Sequence, residues 1–291
     1  MKNLGFLFMA LFASICGVSA QITVEVKMDQ EQFLPNESIP VAVRVANHSG
    51  QTLHLGKEAD WLTFSVEAND GFIILKSGEV PVIKEFDLES STVATRYCDL
   101  APYFNLGKPG RYSIIATVKI PDWPTQPTSR PKEFDIISGV KLWEQEFGLP
   151  PLSATNHGQP EVRKYILQQA AYLKSMRLYL RLTDASESQV FKTFPVGPMT
   201  SFSRPEPQLD KVSNLHLIYQ TAARTYNYSV INPNGELLLR QTYDYTDTRP
   251  RLKVEDEGKI TVVGGLRRIT SNDLPAPKSV LAIDDVKAPK P

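Results

Sequence analysis

The side chains best suited to hold a ligand in this sequence are aromatic. Tyr226 and Tyr228 alternate along one segment, Tyr243 and Tyr245 alternate along another, and Arg224 and Arg240 lie near them in the chain. If the segments pair across Asn232-Pro233-Asn234-Gly235, the four rings gather at one end of a hairpin. Flat aromatic faces stack on sugar rings or anchor a protein partner. The same rings serve equally well as ordinary cross-strand packing. Tyr226, Tyr228, Arg240, Tyr243 and Tyr245 are thus the candidate ligand-binding residues.

Groups in catalytic spacing are missing. The chain has no His-Glu-x-x-His, no Gly-x-Ser-x-Gly, no phosphate loop and no Gly-x-Gly-x-x-Gly. Ser138-Gly139-Val140-Lys141 has the Ser-x-x-Lys spacing of penicillin-binding enzymes. That chemistry needs the Ser at the start of a buried helix and a Lys-Ser/Thr-Gly strand after it. The triplet present, Lys76-Ser77-Gly78, comes before it. His48, His54, His157 and His216 are scattered, and His48 and His54 have no carboxylate or thiolate beside them in sequence to complete a metal site. Glu255-Asp256-Glu257 reads as a solvated acidic turn rather than a calcium loop. No catalytic residue, cofactor or metal is assigned, and the chain is read as a non-enzyme.

The N-terminus reads as an export signal. Lys2 supplies a positive charge, Leu4 to Cys16 is apolar and uncharged, and Val18-Ser19-Ala20 offers small or modest residues for cleavage after Ala20. The apolar stretch is shorter than the roughly 20 residues of a membrane span, and no later segment reaches that length. Ile15 before Cys16 is too bulky for the usual lipoprotein pattern, so simple cleavage is the reading. The expected location is periplasmic or secreted. Cys98 is then the single remaining cysteine, read as a small buried apolar residue although it could pair with another chain.

Composition narrows the partners. The 291 residues carry 32 Lys plus Arg against 32 Asp plus Glu, so no global field draws nucleic acid or an anionic membrane. The 22 prolines work against long helices. Ile22, Val24 and Val26 alternate with polar residues, as do Val41, Val43 and Val45, then Leu62, Phe64 and Val66. Side chains of a strand point alternately to opposite faces, so each run has one apolar face. Lys108-Pro109-Gly110-Arg111 predicts a type II turn with Gly110 at positive φ, leading into the strand Tyr112 to Ile120. Phe134 and Ile136 supply a last strand.

With Asn47 at a strand end, "LTFSVEANDG" and "KPGRYSIIATV", residues 21–138 resemble the immunoglobulin-like domains of bacterial exported proteins, including the BsuPI type of proteinase inhibitor. The resemblance implies an antiparallel sandwich and carries over no binding residue. Residues 139–160 are expected as a linker. Residues 161–174 fit either period, with strand favoured because Leu178, Leu180 and Leu182 alternate after them. The segments "LDKVSNLHLIYQ", "YSVINPNGEL" and "DEGKITVVGG" resemble strands of sialidase-type β-propeller blades. Residues 161–270 are therefore expected as an antiparallel β-meander domain, with room for about two blades where closure needs about four. The proline-rich residues 271–291 are expected as a mobile tail.

The chain is thus expected to be all-β, an immunoglobulin-like sandwich followed by a meander domain. The functional expectation is a non-catalytic exported binding or structural protein whose partner is another envelope or secreted protein, or a glycan. A proteinase inhibitor acting through sandwich loops and an envelope glycan-processing enzyme are the alternatives. Asn36-Glu37-Ser38, Asn47-His48-Ser49 and Asn227-Tyr228-Ser229 have the acceptor pattern for glycosylation.

Overall fold

The computed structural model describes residues 21–69, 71–82, 84–149 and 161–275. The export signal at 1–20, His157 and residues 276–291 of the expected tail lie outside them. The first strands are β1 (Ile22–Lys27), β2 (Gln32–Phe33), β3 (Pro40–Asn47), β4 (Leu53–Leu55), β5 (Leu62–Ala68), β6 (Phe86–Leu88), β7 (Val93–Asp99), β8 (Gly110–Val118) and β9 (Lys132–Ile136). They are followed by β10 (Val140–Gly148), β11 (Val162–Tyr172), β12 (Ser175–Asp184), β13 (Val190–Met199), β14 (Glu206–Leu209) and β15 (Leu215–Ala222). The last are β16 (Thr225–Ile231), β17 (Leu237–Asp244), β18 (Arg251–Val254), β19 (Ile260–Val263) and β20 (Leu266–Arg268). A single 3-10 turn, Asp256–Gly258, is the one helical element among the described residues. The all-β class follows, and no described helix is long and apolar enough to cross a membrane.

In the first half, β1-β3-β7 form one sheet and β2-β9-β8-β5 another, with β4 and β6 paired beside them. Burial alternates as the residue types require: Ile22, Val24 and Val26 of β1 point inward, as do Tyr112, Ile114, Ala116 and Val118 of β8. The inward faces of both sheets share one core, where Tyr112 stacks on Phe134 at 5.7 Å and Phe33 meets Phe134 edge-on at 6.1 Å. The Tyr112 hydroxyl donates back to the Lys108 carbonyl at 2.8 Å and closes the bend before β8. Gly110 does not adopt the positive φ expected of it; it opens β8 as an extended residue paired with Ile136. The sheet ladder, not a type II turn, fixes its conformation.

Asn47 shows how a polar residue survives at the end of a buried strand. Its side chain is fully buried and makes hydrogen bonds in every direction. Nδ2 donates to the carbonyls of Gln51 (2.7 Å) and Leu88 (2.8 Å), while Oδ1 accepts from the Ser49 amide and hydroxyl. The amide nitrogen that a glycan would need is therefore already committed inside the fold. Cys98, in β7, is half-buried, and burial followed by the neighbouring Asp99 charge pushes its thiol up to about 12.

The second half contains two up-and-down sheets, β10-β11-β12-β13 and β14-β15-β16-β17-β20. They face each other across a core that includes Phe147, Tyr165, Leu167, Leu180, Leu182, Val196, Leu217 and Tyr219. The strand reading of 161–174 is correct, since β11 runs from Val162 to Tyr172 in register with β12. Other expectations need correction. Residues 139–160 are not all connection, because Val140–Gly148 form β10 and Phe147 stacks on Tyr165 at 4.3 Å. The β18–β19 hairpin does not continue the meander; it is a separate pair laid on the outer face of β15–β17, where Leu252 and Val262 contact buried tyrosines. The expected tail starts too early, because Asp273 is buried against Arg267 at 2.5 Å and Leu274 exchanges two backbone bonds with Arg240.

The halves touch directly. Leu34 and Ile137 of the first pack on Ala170 and Tyr179 of the second. The Gln32 side-chain oxygen accepts from the Leu173 amide at 2.9 Å, and Glu37 bridges to Thr193 through the backbone. The Glu37 carboxylate is buried here, accepting from the Leu34 amide at 2.7 Å and the Gln30 amide group at 3.1 Å. Burial raises its pKa above the ordinary 4.5, against the opposing pull of the Leu34 and Gln30 bonds and of Arg177.

Two outcomes follow from these buried groups. Asn47→Ala strands the buried Leu88 carbonyl, so unfolding of residues 21–291 in urea should be easier by on the order of 2–3 kcal/mol. A change below about 0.5 kcal/mol would mean that the network is not structural. For Glu37, a raised folded pKa means stability that is complete below the ordinary value of 4.5 and is lost as pH rises through the folded value. The Glu37→Gln protein should therefore gain Tm over the parent as pH climbs from about 4.5 to 7. An advantage constant across that range would contradict the buried-carboxylate account.

Candidate functional site

The register of β16 and β17 decides the fate of the tyrosine group. Tyr226 lies directly opposite Tyr243, Tyr228 opposite Gln241, and Ser229 opposite Arg240. The turn between the strands is closed by the Gly235 amide donating to the Asn232 carbonyl at 2.8 Å, with Gly235 at φ 73°. Pairing thus brings the expected rings to one hairpin. It does not leave them open. Tyr226 and Tyr228 are buried at 4% and 6% exposure beneath the β18–β19 hairpin, with Tyr243, Leu239, Leu252 and Val262 packed around them. Guanidinium groups close the rim, Arg249 at 5.4 Å from the Tyr226 ring centre and Arg267 at 5.7 Å from that of Tyr243.

The other two candidates separate from this group. Tyr245 is exposed, with the Arg224 guanidinium 5.6 Å from its ring centre. Tyr245, Thr248, Arg249, Arg251, Val263 and Gly264 border an open depression of about 480 Å³. Arg249 is tied there to Glu206 at 2.9 Å. Arg240 points the opposite way from the tyrosines, because residues opposite one another in the ladder share a face and its partner is Ser229. The structure therefore divides the five candidates among a packed face, a surface depression and an inner face.

A polar chain that motif reading missed runs through the outer face of the same sheet. His216 Nε2 lies 3.2 Å from an Asp210 carboxylate oxygen, and Nδ1 lies 2.7 Å from the Tyr228 hydroxyl. Asp210 is acceptor-only, so Nε2 carries the proton and Nδ1 accepts from Tyr228. Burial acts to raise the Asp210 pKa, but donors from Asn214, His216 and Val212 outweigh it and hold the pKa below the ordinary value. Burial, aided by the charges near it, pushes the Tyr228 phenol up to about 12. At that value the phenol stays a donor throughout the physiological range, so the chain acts as an internal brace. The sequence signal for it was the pairing of "LHLIYQ" with "YNYSVI", which puts positions 216 and 228 diagonally on one face.

Elsewhere, His54 Nδ1 meets Asp87 at 2.6 Å on the surface of the first half. His54, Trp61, Glu58, Glu85 and Lys119 border a cleft of about 340 Å³. Lys119 bridges Glu58 (2.7 Å) and Asp60 (3.0 Å) there, and the bond from Lys119 lowers the Asp60 pKa. Ser138 and Lys141 are not at a helix start, since Lys141 lies in β10. No group of three or more His, Cys, Asp or Glu suited to a metal occurs among the described residues.

No protein-family model matches this chain, and no curated protein matches it. Two solved structures are distantly similar. One is a family 123 glycoside hydrolase from Clostridium perfringens, 9% identical, with a TM-score of 0.28 over 40% of this chain and 27% of that one. The other is Spo0M, a sporulation control protein from Bacillus subtilis, 6% identical, with a TM-score of 0.32 over 59% of this chain and 83% of that one. The chain thus spans well under half of the hydrolase's length. Likenesses this distant decide neither fold family nor function.

The brace has a measurable cost of removal. Tyr228→Phe leaves the His216 acceptor buried without a donor, which should lower unfolding stability by about 1–3 kcal/mol with an unchanged denaturant slope. No loss of stability would mean that the hydrogen bond contributes nothing.

Proposed function

We propose that this chain is an exported, non-catalytic binding protein, periplasmic or secreted, that meets another envelope or secreted protein. The observation that carries this reading is the loop after β5. Phe72, Ile73 and Leu75 lie within four residues of one another and are 71%, 65% and 84% exposed. Single exposed apolar residues are commonplace, whereas a group of this size on one loop marks a contact surface.

The loop is held in place rather than loose. The Ala68 amide donates to the Phe72 carbonyl at 2.9 Å, the Ile74 amide donates to the Val66 carbonyl at 2.8 Å, and Ile74 packs on the core of the first half. A presented shape costs less to bind than one that must first be ordered. Beside the apolar group, Lys76 pairs with Glu79 at 2.6 Å. An apolar centre with both signs of charge at its edge is the anatomy of a protein interface. An anionic lipid surface would call for a basic excess, and the chain has a net charge of zero. The export signal and the absence of catalytic spacing in the sequence support the same reading.

A photo-crosslinking residue at position 75 should capture one recurring envelope or secreted protein. That protein, once purified, should bind Ile73→Asp/Leu75→Asp at least about tenfold more weakly than the parent, about 1.4 kcal/mol. The thermal midpoint of the variant should be unchanged. Equal affinity of parent and variant for the captured protein would reject the loop as the contact. Turnover of an envelope glycan by the purified chain would replace the non-catalytic reading.

A further inference from the structure

We propose that the free edge of β1 receives an extended peptide segment of another protein, which joins the first half as an added strand. The first ground is the direction of the backbone groups of β1. Antiparallel pairs alternate between residues that exchange hydrogen bonds and residues that do not. The His48 amide donates to the Gln21 carbonyl at 2.6 Å, which sets the bonded pairs at Thr23, Glu25 and Lys27, opposite Ala46, Arg44 and Ala42. The far side of β3 agrees. The Asn47 amide donates to the Thr92 carbonyl and the Ile39 carbonyl accepts from the Leu100 amide, so Val41, Val43 and Val45 bond to β7 and not to β1. The amides and carbonyls of Ile22, Val24 and Val26 therefore point away from the sheet. Among the described residues, no backbone bond outside the ladder reaches them.

The second ground is space beside that edge. Residues 22–26 form one wall of an open groove of about 550 Å³, and Thr128, Arg130, Pro131 and Lys132 form the other. The Ser129 amide donates to the Ala116 carbonyl at 2.8 Å, which ties the second wall to β8, so the groove lies where the edges of the two sheets part. The other edges of these sheets are blunted. The β5 edge is taken by the Phe72 carbonyl and the Ile74 amide, the outward Thr95 carbonyl of β7 accepts from Arg96 Nη1 at 3.2 Å, and β2 is two residues long. Such devices are how a sheet normally protects its edges. β1 has neither a proline nor a bulge.

A strand laid here would point alternate side chains into the groove beside Ile22, Val24 and Val26 and the rest to solvent. The groove carries Arg130 and Lys132 against one carboxylate, Glu25, which already has Lys27 and Arg44 at 3.5 Å. Lys132 is held by Glu31, which leaves Arg130 to meet a carboxylate of the ligand. The occupant is thus an extended segment with apolar residues at alternate positions and an acidic flank. A second copy of β1 matches less well, because two-fold pairing would set the Arg130 side chains of both copies along one seam.

The probe is the labelled peptide Glu-Val-Thr-Val-Thr-Val-Glu, titrated into isotope-labelled residues 21–291, with fluorescence anisotropy and amide hydrogen exchange as readouts. In the free protein the amides of Ile22, Val24 and Val26 should exchange faster than those of Thr23, Glu25 and Lys27. Saturating peptide should slow those three by at least about tenfold. Two peptides methylated on alternate sets of amides should differ, one losing binding and the other keeping it, because only one set faces β1. Arg130→Glu, an exposed substitution, should bind the peptide severalfold more weakly at an unchanged thermal midpoint. No saturable binding, equal binding of the two methylated peptides, or slow exchange of the three amides before peptide is added overturns the edge site. Undiminished affinity in Arg130→Glu rejects the acidic occupant, and protection that rises with protein concentration alone assigns the edge to a second copy instead. Ile73→Asp/Leu75→Asp should bind the peptide as the parent does, so failure here leaves the reading of the loop after β5 intact.

Discussion

Coverage on both faces of the two sheets of the second half is the constraint from which most of this molecule's properties follow. A strand sends its side chains alternately to opposite faces, and most sheets hide only one of them. Here the facing surfaces of β10–β13 and β14–β17 hide one face of each. The remaining face of β10–β13 is covered in part by Leu34 and Ile137 of the first half, which cover Ala170 and Tyr179. The remaining face of β15–β17 is covered by the β18–β19 hairpin. Polar groups caught under such covers must find partners inside. His216 finds Asp210 and Tyr228, and Glu37 finds Leu34 and Gln30.

The same constraint explains what the sequence made legible. In the first half, Ile22-Val24-Val26 and Tyr112-Ile114-Ala116-Val118 have one wet face, so apolar and polar residues alternate and strand positions can be read directly. In the second half Tyr165-Ile166-Leu167 and Leu215 through Tyr219 are buried without interruption. Where neighbouring residues are buried in succession the period of two is blurred, which is why 161–174, with Tyr165-Ile166-Leu167 at its centre, fitted a helix nearly as well as a strand. Gly110 was misread for a different reason: Pro-Gly chemistry suits a turn locally, but a ladder partner at Ile136 outweighs local preference.

The candidate ligand residues were legible in pairing and illegible in exposure. Alternation and the Asn232–Gly235 turn fixed which tyrosines would share a face. Nothing in residues 226–245 announces that a hairpin from residues 251–263 will lie on top of them. Arg240 was grouped with the rings by nearness in sequence, yet parity sends it to the other side of the sheet. A ladder separates neighbours in sequence and unites residues across strands, so a site in a sheet protein is better sought in columns of paired residues than in short motifs.

The contact between the halves also bears on how such a protein can be inherited. Modules joined by a polar tether can be shuffled, duplicated or lost one at a time. Here Leu34, near the start of the first half, shields Tyr179 in the middle of the second, and Gln32 satisfies the amide of Leu173. Each half completes the surface of the other. Recombination that exchanged one half alone would leave tyrosine and amide groups exposed to a stranger's side chains, so the two are constrained to travel through evolution as a single unit.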